Sequence, residues 1–370
     1  MLVDESIVYN ELRNHLDSFP IGFPSTKSGV EMDILKYFFT PEEAKIATSL
    51  KFSWSEQLET VKDIYERLKD TNINIKELEM HLNNMAKKGL VHFKEEAAKK
   101  YYSNAQFVIG IHEFQVNRLN KDITTKIYQY LGEGFGLEVF GTKISQFRTV
   151  PVEKSISPEH HIATYDDLKT IIETAQGPFM VTNCVCRQAM DLFGKPCKAT
   201  DRREVCMGFG SMAQMYIDQG WGREISREEA LEIQRKNEDD GLVLQAGNAL
   251  RPEFICSCCG CCCPILRGTK TFPRPVQFFS ANYYAEVDSE LCSGCGTCVN
   301  RCQMEAIKLV NDISRVNKKK CIGCGNCVPT CPENAINLIK KDKEIDLVEN
   351  MDDLYDKILD RKLELKTKHN

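Results

Sequence analysis

The sequence predicts an α+β protein: helices first, then mixed strands and helices, then a cysteine-bearing repeat and a charged tail. Three observations predict this. Residues 1–183 contain no cysteine, whereas residues 184–331 contain all eighteen. Eight of these form two copies of the spacing C-x2-C-x2-C-x3-C, at Cys292, Cys295, Cys298, Cys302 and at Cys321, Cys324, Cys327, Cys331, each offset by 29 residues from its counterpart. Apolar residues recur at helical spacing up to about residue 120, and short strand-like runs alternate with helical ones after it. The segments expected are 1–120, 121–283, 284–340 and 341–370.

In the first segment, Thr40-Pro41-Glu42-Glu43 supplies an N-cap, a proline at the first helical position and early acids, so a helix starts there. A second helix is expected over about Ser55 to Leu68 and a third over Ile75 to Lys88, with Leu78, His81, Leu82 and Met85 on one face. Gly89 closes the third, and Leu90–Phe93 with Lys100–Tyr102 reads as a hairpin around a polar turn. Helices followed by such a hairpin resemble a winged helix. The charges argue against operator binding, because Glu77 and Glu79 stand among Lys76, Lys87 and Lys88, and Glu95 and Glu96 among Lys94, Lys99 and Lys100. A structural or partner-docking role is the preferred expectation.

From 121 to 283 the order is α+β. Strands are expected at Phe147–Val152, at Phe179–Thr182 leading into Cys184, and at Leu242–Leu244 after a turn at Gly241. Helices are expected over Asp166–Thr174 and Ser226–Lys236. The tail after Lys340 reads as an amphipathic helix with Leu347, Met351, Leu354 and Ile358 on one stripe. His160-His161 reads as a solvated loop, and Gly136-x4-Gly141-Thr142-Lys143 reverses the last pair of a phosphate loop.

Ten cysteines precede the repeat. Cys184, Cys186, Cys197 and Cys206 make one group, with Arg187 behind the first pair; Cys256, Cys258, Cys259, Cys261, Cys262 and Cys263 make another. Four thiolates suffice for a cubane or for tetrahedral zinc, so the first group could stand alone. The second cannot direct six sulfurs at one cluster, and Gly260 and Pro264 suggest a loop that divides its ligands between two sites. One or two further Fe–S clusters or metal sites are expected in 184–263. Arg187 is either a cation tuning such a centre or a packing residue.

In the repeat, three thiolates two residues apart can wrap one face of a cubane while the fourth points to a second cluster. The expected ligand sets are Cys292, Cys295, Cys298 and Cys331 for one 4Fe–4S cluster, and Cys302, Cys321, Cys324 and Cys327 for the other. Residues 284–340 thus resemble a bacterial two-cluster ferredoxin. Cys331-Pro332 keeps that family's proline and Cys302-Gln303 departs from it. The wider chain resembles multidomain 4Fe–4S dicluster proteins of anaerobic bacteria and archaea, through Asn183–Arg187, Gly241–Val243 and the Cys256–Cys263 run. That resemblance implies electron transfer in anaerobic metabolism with a redox partner protein, and names no substrate. The alternatives are a redox-responsive winged-helix regulator and a reductase using the upstream centre. A net charge of −5 provides no global attraction to nucleic acid. No run reaches the roughly eighteen apolar residues of a bilayer span. The first residues lack a basic and then apolar leader, so a cytoplasmic location is expected.

Overall fold

The computed structural model describes residues 5–71, 73–156 and 164–369. His160-His161 lies outside them. Helix and sheet are mixed throughout, which makes the chain α+β. It divides into two units: residues 1–142 with 214–222 and 351–370, and residues 143–213 with 223–350. No helix among the described residues is long and apolar enough to cross a membrane.

The first unit is mainly helical. The helix Pro41–Ala47 begins with a complete capping box, in which the Thr40 hydroxyl accepts from Glu43 N and the Glu43 carboxylate accepts from Thr40 N. Ile75–Lys88 is likewise boxed by Asn74 and Glu77, and it ends at Gly89 in the left-handed region. The expected helix over Ser55–Leu68 is shorter, Val61–Leu68, with Thr60 as its N-cap. The reason is distant in sequence. Asp352 accepts from the backbone N–H groups of Trp54, Ser55 and Glu56, holding that stretch in a turn. Strand β1 (Glu59–Thr60) pairs with β3 (Lys99–Asn104), which pairs with β2 (Val91–Glu96), giving the order β1-β3-β2. The turn between β2 and β3 is Ala97-Ala98, both at positive φ, rather than a polar pair.

The tail helix is Met351–His369 and belongs to this same unit. Met351, Leu354, Tyr355 and Ile358 are buried, while Leu347 lies before the helix. Lys362 is almost wholly buried and donates to Asp17 O and Phe19 O and pairs with Glu138 at 2.6 Å. That stripe is therefore packing surface.

The second unit is built on a six-stranded antiparallel sheet of β4 (Phe147–Val150), β5 (Phe179–Asn183), β6 (Glu204–Phe209), β7 (Arg223–Ile225), β8 (Val243–Gly247) and β9 (Phe254–Cys258), in the order β4-β8-β9-β6-β5-β7. Side chains alternate across a strand, so the sheet has two chemically different faces. Phe179, Val181, Met207, Phe209, Leu244, Ala246 and Ile255 join one apolar core with Leu168, Ile171, Ile172, Ala230 and Ile233 of two covering helices. Those helices are Leu168–Thr174, capped by Asp167, and Arg227–Asp239, capped by Ser226. By the same alternation Cys206, Cys256 and Cys258 point to the opposite face. Beyond the sheet, β10 (Tyr283–Val287) pairs with β13 (Ile336–Lys340), and β11 (Ile307–Val310) with β12 (Ile313–Val316).

His92 on β2 is buried between the rings of Trp54 and Phe114, at centroid distances of 5.3 and 5.4 Å. Burial holds its pKa down at about 4, against a weaker opposing pull from Asp352, while the ordinary value is 6.5. The unfolded chain therefore binds a proton that the folded chain refuses, and stability is lost as pH falls from 6.5 towards 4. The full loss is on the order of 3 kcal/mol at 1.36 kcal/mol per pKa unit. Both tryptophans lie in this unit, so tryptophan fluorescence reports its unfolding. The expected outcome is a denaturation midpoint that drops between pH 6.5 and 5 in the wild type and drops less in His92→Phe.

Candidate metal centres

The 29-residue repeat of the sequence is carried through into contacts. Cys292, Cys295, Cys298 and Cys331 line one concavity, together with Gly294, Ser314 and Ile336. Cys302 lies with the other copy, close enough that its charge acts on Cys321, Cys324 and Cys327. Each copy thus contributes three cysteines to one set and one to the other. Backbone donors cross in the same way. Ser314 N donates to Cys292 Sγ at 3.4 Å, and Ala285 N, 29 residues earlier, donates to Cys321 Sγ at 3.3 Å. Ala306 N donates to Cys302 Sγ and Ala335 N to Cys331 Sγ, at 3.3 and 3.2 Å.

Glycine is required at Gly294 and Gly323. Both have positive φ, and an added Cβ would strike the carbonyls of Asp312 and Tyr283 respectively. Asp312 and Tyr283 are themselves 29 residues apart, so the close approach belongs to the repeat.

The two sets differ in electrostatics. Hydrogen bonds from Ser314 N and Gly294 N lower the Cys292 pKa, and those from Thr297 lower that of Cys295, which is exposed. Burial raises all of Cys321, Cys324 and Cys327, with Cys324 pushed up to about 12, whereas in the first set it raises only Cys298. Buried thiols of this kind ionise when a cation binds them. The donor chemistry fits iron–sulfur ligation: sulfur ligands in fours, N–H donors aimed at sulfur, and glycine where the backbone closes in.

The ten upstream cysteines fall into groups of four and six, and the division does not follow the sequence. Cys197 leaves Cys184, Cys186 and Cys206 and joins Cys259, Cys261 and Cys262, the four sulfurs lying within 4.8 Å of one another. The first sequence group therefore does not stand alone. Cys184 is within hydrogen-bonding reach of Cys186 and Cys206, Cys206 of Cys256, Cys256 of Cys258, and Cys258 of Cys263. The register Met207↔Ile255 sets Cys206 level with Cys256 on the face away from the apolar core. The loop Cys256–Cys263 divides its ligands by alternation, then by the turn at Gly260.

Arg187 sits between the groups with no exposed surface. Its Nε donates to Cys197 Sγ at 3.4 Å and its Nη1 to Ser257 O at 3.0 Å, while Nη2 has no partner. Burial opposes its charge, but the thiols of Cys184, Cys259 and Cys206 and the bond to Cys197 outweigh burial and raise its pKa. A packing arginine would need no such surroundings; this one is a buried cation facing thiols from both groups.

Sequence reasoning missed the residues that join the repeat to the sheet. Gln303, where the other copy has Pro332, accepts from Gly260 N at 2.8 Å and donates to Gly241 O at 3.2 Å. Asn326, between two ligands, donates to Gly241 O and Leu242 O at 3.1 Å. Lys270 reaches Gly260 O and pairs with Glu305 at 2.8 Å. The one available signal was the break in the repeat at Gln303.

A family model for a 4Fe-4S dicluster domain matches residues 284–332. No curated protein and no solved structure matches the chain. The match supports a ferredoxin-type domain in that segment, and with the cysteine clusters it supports iron–sulfur electron transfer.

Cys302→Ala should remove the cluster of Cys321, Cys324 and Cys327 and spare that of Cys292, Cys295 and Cys298. The check is iron content with the electron paramagnetic resonance of the reduced protein, which should show one ferredoxin-type signal without the splitting that two neighbouring clusters cause.

Proposed function

We propose that the protein relays single electrons between a redox partner and its upstream cysteine centre, through two 4Fe–4S clusters in residues 284–340. Clusters held by Cys292, Cys295, Cys298 and Cys331 and by Cys302, Cys321, Cys324 and Cys327 would supply reversible one-electron storage. One observation carries the reading. Cys258 and Cys263 of the upstream group pack in the same apolar cluster as Cys302, Cys321, Cys324 and Cys327. The outer ligand Cys295 is exposed and the inner ligands Cys321 and Cys327 are buried. A partner thus approaches at the Cys295 end, and the apolar packing around the inner set excludes water between it and the sheet. Gln303 and Asn326 hold this arrangement by bonding to the turn that begins β8. We read 284–340 as the ferredoxin domain, 121–283 as the cysteine-rich α+β domain, 1–120 as a winged-helix-like domain and 341–370 as its amphipathic tail. A cytoplasmic, anaerobic setting suits so many thiols.

The winged-helix reading is supported by the order helix, β1, helix, helix, β2, β3 and by the sheet order β1-β3-β2. Three of the six lysines on its third helix and hairpin pair with acids: Lys88 with Glu43 at 2.6 Å, Lys94 with Glu96 at 2.8 Å and Lys100 with Glu79 at 3.6 Å. Matched charges leave a weak field for phosphates, so we assign this segment to protein contacts. The test is anaerobic. Mixed with a reduced low-potential donor, the protein should bleach its cluster absorbance, and its affinity for mixed-sequence DNA at physiological salt should be low and equal in both redox states. Sequence-selective binding that changes with redox state would favour the regulator instead.

A further inference from the structure

The four-cysteine group has a geometry of its own. Cys261 Sγ lies 3.5 Å from Cys259 Sγ and 3.7 Å from Cys262 Sγ, and Cys197 Sγ lies 3.6 Å from Cys259 and 3.8 Å from Cys261. Four sulfurs around one ion at about 2.3 Å form a tetrahedron whose edge is about 2.3 × 1.63, or roughly 3.8 Å. The contacts fall at or just under that edge. A cubane is different, because it places several irons and sulfides between its thiolates and needs a wider cage. The ferredoxin-type cysteines show the contrast: among the described residues, no other set of three or more Cys, His, Asp or Glu gathers its ligand atoms within 4.8 Å.

We propose that Cys197, Cys259, Cys261 and Cys262 hold a single zinc ion in a closed tetrahedral site, and not an iron–sulfur cluster. Four thiolates with no open position make a structural zinc centre. Cys259 and Cys262 are almost fully buried and Cys197 nearly so, which leaves no room for a substrate. The surrounding donors suit a tetrathiolate carrying net negative charge: Arg187 Nε on Cys197 and Lys198 N on Cys261, each at 3.4 Å. The C-x-C-C spacing works because Gly260 turns the chain between the first two ligands, where a Cβ would strike the Gln303 carbonyl. The ion ties the loop around Cys197 to the loop after β9 and so holds Gly260 in place for Gln303. Zinc carries no electrons, so the redox role upstream passes to the other six cysteines.

The experiment uses full-length protein expressed with both iron and zinc supplied and purified anaerobically. Metal analysis should give one zinc per chain, and zinc-edge X-ray absorption should show four sulfurs at about 2.3 Å with no metal–metal distance. Cys261→Ser, at the least buried ligand, should lose the zinc and keep the wild-type iron content and cluster reduction. Absence of zinc from the wild type would overturn the assignment, as would a zinc shell with fewer than four sulfurs or a Cys261→Ser protein that loses iron and keeps zinc. If that variant does not fold, the wild-type absorption spectrum decides alone.

Discussion

Ten thiols gathered beside one face of a sheet must be neutralised, and the rest of the second unit depends on how that is done. Arg187 is the buried cation that faces both groups, and one positive charge cannot balance ten ionised sulfurs. Left protonated, the thiols are poor hydrogen-bonding partners in a crowded interior; ionised, they repel one another. Metal bound there would resolve the conflict, since it would remove the protons and supply the opposing charge. The order of the sheet brings thiols distant in the chain together. Placing β6 beside β9 brings Cys206 to Cys256, and the short loop after β9 turns Cys259, Cys261 and Cys262 to one group and Cys263 to the other.

The two faces of that sheet divide the work. On one, Leu168, Ile171, Ile172, Ala230 and Ile233 cover Phe179, Val181, Met207 and Ile255, which is ordinary apolar burial. On the other, Cys206, Cys256 and Cys258 lie where polar and metal chemistry is possible. Within the apolar face, Asn237 of the covering helix donates to Ser257 Oγ at 2.8 Å and Val205 O at 3.0 Å, satisfying polar atoms that the sheet would otherwise strand. The repeat docks against this second face through specific hydrogen bonds as well as through apolar contact. A freely diffusing ferredoxin has no need of a residue like Gln303; a segment fixed to the sheet does.

Much of this was legible in the sequence where the signal is local. The strands at Phe147, Phe179 and Val243 and the capped helices at Pro41, Ile75 and Arg227 follow from nearby residues and fall where the pattern put them. The constant 29-residue offset of the repeat recurs in its backbone contacts, where Ser314 N and Ala285 N stand in the same relation to Cys292 and Cys321. What was not legible depends on long-range register. Cys197 lies between Cys186 and Cys206 in the chain, yet it joins cysteines some sixty residues later, because β6 and β9 are neighbours. The helix expected from Ser55 lost its first turns to Asp352, nearly three hundred residues away. Gln303 was visible only as a departure from the repeat, and its purpose lies in Gly241 and Gly260, which no spacing rule connects to it.

The cysteine face of the sheet should keep its structure only while metal is bound. Hydrogen–deuterium exchange on full-length protein, before and after anaerobic removal of iron and zinc with thiols kept reduced, tests it most directly. Loss of amide protection in β6, β9 and the loop through Cys263, with the helices of the first unit unchanged, is the result the account requires. Undiminished protection of those strands in the metal-free, reduced protein would contradict it.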